Sequence, residues 1–421
     1  MTFSLGNSRM PTMTFNSEAL ENVNTYKYLG INIHKNGKFS PAIIERISKA
    51  NRATHVLKQI IGYSNNISTK LAMSLFDKQI SPILLYGSAI WGIPNNSRHI
   101  HIRIANIEGQ VKKQVQKILT TRLNRPVLLD EVRAFREKHL ILVKLHNISD
   151  KIDLLYNNVQ YADNCTINDH VVKDKISYEK IHSKFCKYAL GVSKYASTTG
   201  VYREMGRYPI AIKAWISGIT FWHRLEITND LILLNTYKEC KLNEHAFYQN
   251  IIFLLKKNGL GHIAARPLDY STKQVSHMTK TNLTDQYRQT TNNVIESDEK
   301  FKTLHLYANP NNGQYYNVIK TQYIRNCFTK LRLDGALNYS LLGKDNICNT
   351  CNILRDTKHI ILDCKKNEAE RNHMFQNIIR VYPRFSNMSK EEKLRLILNL
   401  QLKNEYAIGI ICTFVKQISK I

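Results

Sequence analysis

Three cysteines and one histidine in the last quarter of the sequence restrict the local fold more than any other feature. Their spacing is Cys348-x2-Cys351-x7-His359-x4-Cys364. Two cysteines three positions apart reach one metal ion from a tight turn, and Cys3His is a tetrahedral ligand set that suits zinc. Four protein ligands leave no open position, so we expect a structural Zn2+ ion. The alternatives are a chance grouping of small core residues and, for His373, either a spare ligand or an ordinary surface histidine.

The balance of charge predicts a polyanionic partner. The chain has 421 residues, with 60 Lys and Arg against 33 Asp and Glu, so its formal net charge is +27. Hydrophobic residues make up 43% of the chain, which is globular composition and excludes wholesale disorder and a fibrous fold. The basic side chains of such a chain repel one another, and a nearby polyanion offsets this repulsion. Nucleic acid is the first expectation, and an anionic membrane surface is the second.

The sequence predicts a protein that does not insert into membranes. No stretch approaches the ~20 uninterrupted apolar residues of a membrane-spanning helix. The first 15 residues have neither a charged leader nor an apolar signal core. Eight cysteines are too few for a disulfide scaffold in a chain of this length. We therefore expect an intracellular protein, in the nucleus, the cytoplasm or both.

The hydrophobic periodicity predicts a mainly α fold with a short β-hairpin at its N-terminal end. Residues 26–33 alternate apolar and polar side chains as a strand does, with a turn signal at Asn36-Gly37. From Ser40 onward, apolar residues recur at three- and four-residue steps, which indicates helices. The expected helices include one over 40–62, one that starts near 68 and one over 97–119.

Composition and periodicity divide the chain into five expected segments. Residues 271–300 are rich in Thr, Asn and Gln and carry few apolar residues, which is typical of a linker or long surface loop. The segments are 1–39, which holds the hairpin; 40–125, a basic helical domain; 126–270, a helical connector; 271–300, the linker or loop; and 301–421, a C-terminal unit that holds the expected metal ligands.

The predicted helices of the second segment carry an unbalanced positive charge. Residues 35–125 hold fifteen Lys and Arg residues against three carboxylates. A solvated helix face normally mixes both signs, so the missing acidic partners favour contact with a phosphate backbone over a merely solvated face. The expected contacts are Arg46, Lys49, Arg52, Arg103, Lys112, Lys113 and Lys117.

Two tyrosines near the N-terminus form a second candidate contact. Tyr26 and Tyr28 flank Lys27 at strand spacing, so the tyrosines share one face of the predicted strand and Lys27 lies on the other. Aromatic residues beside a basic one can stack on a nucleotide. The simpler alternative is a two-residue core contact of a small sheet.

The sequence predicts no catalytic site. Two-metal polymerase or nuclease chemistry needs carboxylates brought together, commonly from the ends of strands. The adjacent acidic pairs are expected in polar or helical contexts, and no glycine-rich phosphate-binding loop is present. Those pairs are Asp130-Glu131, Asp298-Glu299 and Glu391-Glu392.

Four sequence segments precede the Cys3His set in a fixed order. Arg371 follows the set. The four segments are residues 26–31 (YKYLGI), 82–92 (PILLYGSAIWG), 185–192 (FCKYALGV) and 202–209 (YREMGRYP). This ordered set resembles the C-terminal part of non-LTR (LINE-type) retrotransposon reverse transcriptases. The first segment is similar to their primer-gripping hairpin at the end of the palm, the second to a helix after it, and the last two to their connecting helical region. The Cys3His set resembles their zinc knuckle.

The resemblance implies that the chain holds a template–primer through a thumb and a zinc knuckle. The expected partners are RNA, DNA or an RNA–DNA hybrid. The knuckle would present Lys358, Lys365, Lys366 and Arg371 to the nucleic acid.

The departures from this family are equally informative. Its catalytic palm, with paired aspartates, should precede Tyr26 by tens of residues, whereas only 25 residues precede it here and none of them is Asp. We therefore expect a nucleic-acid-binding fragment that is not an enzyme, although the parent family is an RNA-directed DNA polymerase. The alternatives are a non-catalytic subunit that completes a polymerase with a separate palm, and a helical protein-interaction scaffold.

Overall fold

The fold divides into two compact units, and each is assembled from separate stretches of chain. In the computed structural model the described residues are 14–15, 18–19, 23–35, 39–63, 67–92, 99–104, 110–124, 126–135, 140–145, 165–169, 177–242, 246–298, 301, 304, 315–319, 321–333, 347–400 and 405–419. The first unit comprises Met1–Tyr86, Ser177–Ile210 and Tyr287–Ile421, and the second comprises Gly87–Ile176 and Ala211–Gln286. These units do not follow the five contiguous segments that the composition suggests.

The secondary structure of the described residues is mainly α, as the periodicity predicts. The strands are β1 (Thr14–Phe15), β2 (Glu18–Ala19), β3 (Thr25–Tyr28), β4 (Ile31–His34), β5 (His99–Ile104), β6 (Leu129–Phe135), β7 (Leu140–Leu145) and β8 (Cys165–Asp169). The helices are α1 (Ser40–Tyr63), α2 (Thr69–Leu75), α3 (Ser81–Leu85), α4 (Ser88–Trp91), α5 (Val111–Leu123), α6 (Ser177–Leu190), α7 (Thr198–Met205), α8 (Ile210–Glu226), α9 (Leu231–Leu242), α10 (Ala246–Lys257), α11 (Gly261–Ala265), α12 (Thr272–Ser297), α13 (Tyr315–Val318), α14 (Gln322–Leu333), α15 (Glu368–Val381), α16 (Lys390–Asn399) and α17 (Glu405–Ser419).

Strands β3 and β4 form the predicted hairpin of the first unit. They pair antiparallel, with Tyr28 opposite Ile31. The run of residues 26–33 that reads as one strand is broken by a two-residue turn at Leu29 and Gly30, whose φ angles are 46° and 76°. Two positive φ angles are what a tight hairpin turn requires, and only Gly30 adopts one without a steric penalty. The expected turn at residues 36–37 lies outside the described residues.

Helix α1 agrees closely with the sequence pattern. It spans Ser40–Tyr63, one residue beyond the expected end, and Ala50, Leu57 and Ile61 of the predicted stripe are buried. The N-cap of α2 is Ser68, whose Oγ accepts a hydrogen bond of 3.1 Å from the backbone N–H of Leu71.

A π-helical segment, Phe76–Ile80, joins α2 to α3. The backbone N–H of Ser81 donates to the carbonyl oxygen of Phe76, five residues earlier. Pro82 follows directly and has no N–H to continue an α-helix. The wider turn therefore reorganises the hydrogen bonds where the proline interrupts them.

The second unit contains a four-stranded antiparallel sheet in the order β6-β7-β5-β8. The sequence interpretation of residues 97–119 as one helix is wrong, because β5 and α5 occupy this stretch. Ile100, Ile102 and Ile104 also alternate with period two, and the pairing of Ile102 with Ile141 and Ile167 on the neighbouring strands decides between the two periods. The wholly helical connector expected over 126–270 is corrected in the same way, since β6, β7 and β8 lie within it.

Two cores stabilise the second unit. One lies between α5 and the sheet, and the other lies among the helices from α8 to α12. The first core contains Ile102, Val115, Leu119, Val127, Leu129, Ile141, Val143 and Leu145. The second contains Ile219, Trp222, Tyr237, Ile251, Leu254, Leu255, Leu260, Ile263 and Val275.

The linker expected over 271–300 is also wrong, because helix α12 spans Thr272–Ser297. Two threonines, Thr279 and Thr291, are buried at helical spacing from Val275 and Ile295, where the sequence pattern would require apolar residues. A capping signal was present in the sequence: the backbone N–H of Ser271 donates to Gln274 Oε1 at 2.8 Å, and the backbone N–H of Gln274 donates to Ser271 Oγ at 3.3 Å.

The C-terminal part of the first unit is helical around a buried ion pair. Arg332 on α14 and Glu204 on α7 are each at most 2% exposed, and the Nε of Arg332 donates to Glu204 Oε1. Arg332 also donates to the carbonyl oxygen of Leu398 at the end of α16. One guanidinium therefore joins three helices. Helix α17 packs against α14 and α15 and completes this layer.

Candidate metal centre and basic surfaces

The first two predicted metal ligands lie in a tight turn. Cys351 and Asn352 both donate their backbone N–H to the carbonyl oxygen of Cys348, at 3.2 and 2.7 Å. Asn352 adopts a φ of 53°, which asparagine tolerates better than most residues. The backbone N–H of Cys348 in turn donates to the carbonyl oxygen of Ile353 at 2.8 Å. This turn brings the two sulfur atoms to one side, as the spacing predicts.

A π-helical turn, His359–Asp363, supplies the other two ligands. The backbone N–H of Cys364 donates to the carbonyl oxygen of His359 at 2.7 Å. One π-helical turn therefore separates these two residues, which are five positions apart. The backbone N–H of His359 is capped by Asp356 Oδ1 at 2.7 Å. Thr357 Oγ1 donates to the carbonyl oxygen of Leu331 at 2.6 Å and ties this turn to α14.

The four predicted ligands lie together. One ligand atom from each of them lies within 4.8 Å of the others. The sulfur atoms of Cys348 and Cys364 are 3.8 Å apart, which equals the spacing of about 3.8 Å for two sulfurs bound at ~2.3 Å to one tetrahedral zinc ion. Both ring nitrogens of the buried His359 lack a hydrogen-bond partner. A buried imidazole without partners is unfavourable, and a metal ion would engage one of its two nitrogens.

The electrostatics of the cluster favour the thiolate form of one cysteine, Cys348. The pKa of the Cys348 thiol is lowered to about 6, chiefly by the His359 imidazole and then by the backbone N–H groups of Cys351 and Thr350. Burial raises the pKa of Cys364. Because the thiolate is the form that binds metal, the lowered pKa of Cys348 favours metal binding at this residue.

Arg371 has a different role from the one that the sequence suggests. It is buried, and its Nη1 donates to the carbonyl oxygen of Cys364 at 2.7 Å. The prediction that Arg371 is presented to nucleic acid is therefore corrected: it braces the backbone of a metal ligand. His373 is exposed on α15, where its Nε2 contacts the Asn377 side-chain amide at 3.1 Å, and it does not belong to the cluster.

Three exposed lysines surround the cluster. Lys358 precedes His359, and Lys365 and Lys366 follow Cys364. The backbone N–H of Lys365 donates to Cys351 Sγ at 3.3 Å, so this lysine is anchored to a ligand sulfur while its ammonium group faces solvent. The structure therefore places three of the four basic residues that the sequence predicts, the lysines, at the rim of the Cys3His cluster.

The predicted stacking residues are on the surface. Tyr26 is 51% exposed and Tyr28 is 58% exposed, so the alternative interpretation of a core contact does not apply to them. Lys27 Nζ lies 3.9 Å from Glu45 Oε1. Both aromatic faces are therefore open to solvent beside the turn at Leu29.

The three predicted contacts on α1 differ in their surroundings. Arg46 donates from Nη2 to the carbonyl oxygen of Gly30 and lies 4.4 Å over the ring of Tyr86, so it supports the hairpin turn. Lys49 pairs with Glu45 at 2.7 Å. Arg52 is exposed and donates to Ser48 Oγ at 3.0 Å. Arg52 is the most available of the three.

The predicted contacts in the second unit lie on two kinds of element. Lys112, Lys113 and Lys117 are exposed on α5. Arg103 lies on strand β5, and not on the same helix as those lysines. The expectation of one continuous basic helix is therefore wrong, although the lysines themselves lie on the surface.

One acidic pair lies in a strand, which the sequence interpretation did not expect. Asp130 and Glu131 belong to β6, where Asp130 Oδ2 lies 3.9 Å from Lys144 Nζ and Glu131 pairs with Arg133. Within the described part of the chain, the Cys3His set is the one group of three or more potential metal ligands that lie together.

Neither the described helices nor the comparisons with known proteins add a further site. None of the helices among the described residues is both long enough and apolar enough for a membrane span. No protein-family model, curated protein or solved structure matches this chain.

Proposed function

We propose that this chain is a nucleic-acid-binding fragment of a non-LTR retrotransposon reverse transcriptase, which holds RNA, DNA or their hybrid. The observation that carries the proposal is the Cys3His cluster rimmed by exposed Lys358, Lys365 and Lys366. A compact, cross-linked turn that displays ammonium groups is suited to phosphate binding. The order of sequence segments around it supports the same conclusion.

The resident ion is zinc in this proposal. Three sulfur donors and one imidazole suit Zn2+ better than a hard cation, which prefers oxygen ligands. With all four positions taken by protein, the ion holds Cys348–Cys364 rigid and takes no part in chemistry. The backbone N–H of Lys365 stabilises the charge on one of the bound sulfurs.

The nucleic acid is held chiefly through its phosphates. Lysines at the knuckle, Arg52 on α1 and the lysines of α5 are exposed and supply charge without base-specific geometry. Tyr26 and Tyr28 offer open aromatic faces on which bases of either nucleic acid can stack. We propose binding that is strong at low salt, tolerant of sequence and not catalytic, in the nucleus, the cytoplasm or both.

A protein-interaction scaffold is the second candidate function. The observation that favours it is the apolar surface of α9, where Leu231, Ile232 and Leu242 are each more than 70% exposed. Single exposed apolar residues are common, and the adjacent pair Leu231 and Ile232 is the part of this surface that favours an interaction site. A third candidate, a subunit that completes a polymerase with a separate palm, shares the nucleic-acid contacts of the first.

The deciding experiment measures zinc content and nucleic-acid affinity on one sample. Purified chain is titrated with labelled single-stranded RNA, duplex DNA and hybrid duplex over a salt series. We expect one zinc per chain and an affinity that falls steeply with salt, because each neutralised phosphate releases a condensed cation. A triple variant, Lys358→Gln with Lys365→Gln and Lys366→Gln, should keep its zinc and lose affinity. A wild-type chain that binds none of the three nucleic acids would overturn the proposal.

A further inference from the structure

Four lysines lie near one another on the first unit, and none of them is among the basic residues that the sequence analysis selected. Lys58 is on α1, Lys184 and Lys187 are on α6, and Lys194 is in the loop that follows α6. The two helices are joined by Tyr188, whose Oη donates to the carbonyl oxygen of Lys58 at 3.1 Å. The Nζ of Lys58 lies 4.9 Å from the centroid of the same tyrosine ring.

The loop after α6 is held close to the helix end. Gly191 has a φ of 66° and ends the helix, and the backbone N–H of Val192 donates to the carbonyl oxygen of Lys187 at 3.0 Å. Lys187 Nζ donates to the carbonyl oxygen of Lys194 at 3.1 Å. Lys194 Nζ lies 4.9 Å over the ring of Tyr195, which is 50% exposed. Two lysines and an open aromatic ring are thereby fixed side by side.

The carboxylates of these helices are engaged elsewhere. Helix α6 packs against α1, α2, α7 and α14, and neither α2 nor α14 contains an acidic residue. On the other three helices, Glu45 pairs with Lys49, Glu179 accepts from Tyr202, and Glu204 pairs with Arg332. In the described portion of the chain, no ion pair joins any of the four lysines to a carboxylate.

The electrostatics of this surface favour a bound anion. Burial lowers the pKa of Lys58, and the positive charge of Lys184 lowers it further. Burial also lowers the pKa of Lys187. Ammonium groups that are partly desolvated and repel one another are stabilised by a bound phosphate.

This surface is separate from the basic side of α1 that faces the hairpin. Lys58 follows Lys49 by nine positions, which at ~100° per residue places it about 180° around the helix. Lys49 and its partner Glu45 lie beside Lys27 of the hairpin. One nucleic acid bound at the hairpin side of α1 and one bound at α6 would therefore touch opposite faces of the same helix.

We propose that Lys58, Lys184, Lys187 and Lys194 form a phosphate-binding surface for a nucleic-acid backbone, with Tyr195 as a stacking residue at its rim. The inference rests on the proposed function, since it assigns a second contact surface to the same ligand class. A nucleic acid is favoured over an acidic peptide because it supplies both phosphates and planar bases, which neighbouring lysines beside an exposed tyrosine can use together.

The test uses Lys184 and Lys194, the two lysines of the four that are exposed, so that the fold is preserved. The full-length Lys184→Glu/Lys194→Glu variant is compared with the wild-type chain for binding to single-stranded RNA and duplex DNA over a salt series. We expect affinity to fall by about tenfold or more, and the slope of log affinity against log salt to decrease by roughly 1.5, which corresponds to two lost phosphate contacts. The Lys184→Arg/Lys194→Arg variant should keep wild-type affinity.

The matched control is Lys273→Glu/Lys280→Glu, two exposed lysines on α12 that change the net charge by the same amount. An equal loss in this control would mean that net charge alone is responsible and would overturn the inference. Unchanged affinity and slope in the Lys184/Lys194 variant, with a wild-type chain that binds, would overturn it while leaving the proposed function intact. A variant that loses only its binding to phosphatidylserine vesicles would overturn it in favour of a membrane surface.

Discussion

The guanidinium of Arg371 donates to the carbonyl oxygen of Cys364 at 2.7 Å, so a buried cation is tied to the backbone of a candidate metal ligand. Arg371, which the sequence analysis expects to meet nucleic acid, thus acts inside the fold and not on its surface. The exposed lysines before and after the π-helical turn are left as the groups that can meet an anion. The basic residue that braces the backbone is therefore different from the basic residues that are exposed.

Replacing Arg371 should weaken metal binding. In the Arg371→Met variant the carbonyl oxygen of Cys364 loses its buried donor, and outer-shell changes of this kind lower metal affinity by ~10–100-fold. A zinc titration against a competing chelator measures the effect. The Arg380→Met variant changes an exposed arginine on the same helix and should match the wild-type chain. A larger loss of nucleic-acid affinity than of zinc affinity in Arg371→Met would restore its role as a surface contact.

The choice of histidine ligand is directly testable. We expect His359→Ala to abolish stoichiometric zinc binding, because it removes one of four ligands whose atoms lie within 4.8 Å of one another. His373→Ala should retain about one zinc per chain, because His373 lies outside the cluster. Metal analysis of both purified variants gives the answer. Full zinc content in His359→Ala would show that the set of ligands is different.

The buried ion pair should show strong coupling between its partners. Removing one partner of a buried pair, as in Glu204→Gln or Arg332→Met, leaves an uncompensated charge or unmet donors and costs about 3–5 kcal/mol. The double variant Glu204→Gln/Arg332→Met should be less destabilised than the sum of the two single variants, since no charge is left buried. Urea unfolding of the four chains measures the coupling. Strict additivity would mean that the pair is not a unit.

His182 should make the first unit less stable in mild acid. It is buried between Phe76, at a centroid distance of 5.4 Å, and Tyr202, whose Oη lies 3.0 Å from its Nδ1. Burial lowers its pKa, and Glu179 opposes this only in part. Its contribution to stability is therefore complete above the unfolded pKa of about 6.5 and declines as the pH falls through and below that value.

The measurement compares the free energy of unfolding at about pH 7.5 and about pH 5.5. The His182→Gln variant, which does not titrate, should lose less stability between these two values than the wild-type chain. His277→Gln replaces an exposed histidine and should follow the wild-type curve. A His182→Gln variant as acid-sensitive as the wild-type chain would show that another group is responsible.

Local patterns were readable from the sequence wherever neighbours in the chain are also neighbours in space. The stripe of α1, the hairpin and the four metal ligands all depend on contacts within about 20 residues. The sequence interpretation failed at β5, because Ile100 to Ile107 satisfies a helical and a strand period at once and only distant strands decide between them. It failed again at α12, because buried threonines occupy positions where apolar residues were sought.

What the amino-acid sequence by itself determined is the Cys3His cluster, the mainly α character and the excess of positive charge, because these depend on residue identity and short spacing. The tertiary structure alone decided which basic groups are available. Arg371 and Arg46 are held by carbonyl oxygens, whereas Lys58, Lys184, Lys187 and Lys194 are brought together from residues more than 120 positions apart. The charge of a side chain follows from its residue type. Whether that charge is paired depends on which groups the fold places within hydrogen-bond distance, and therefore on burial and long-range contacts.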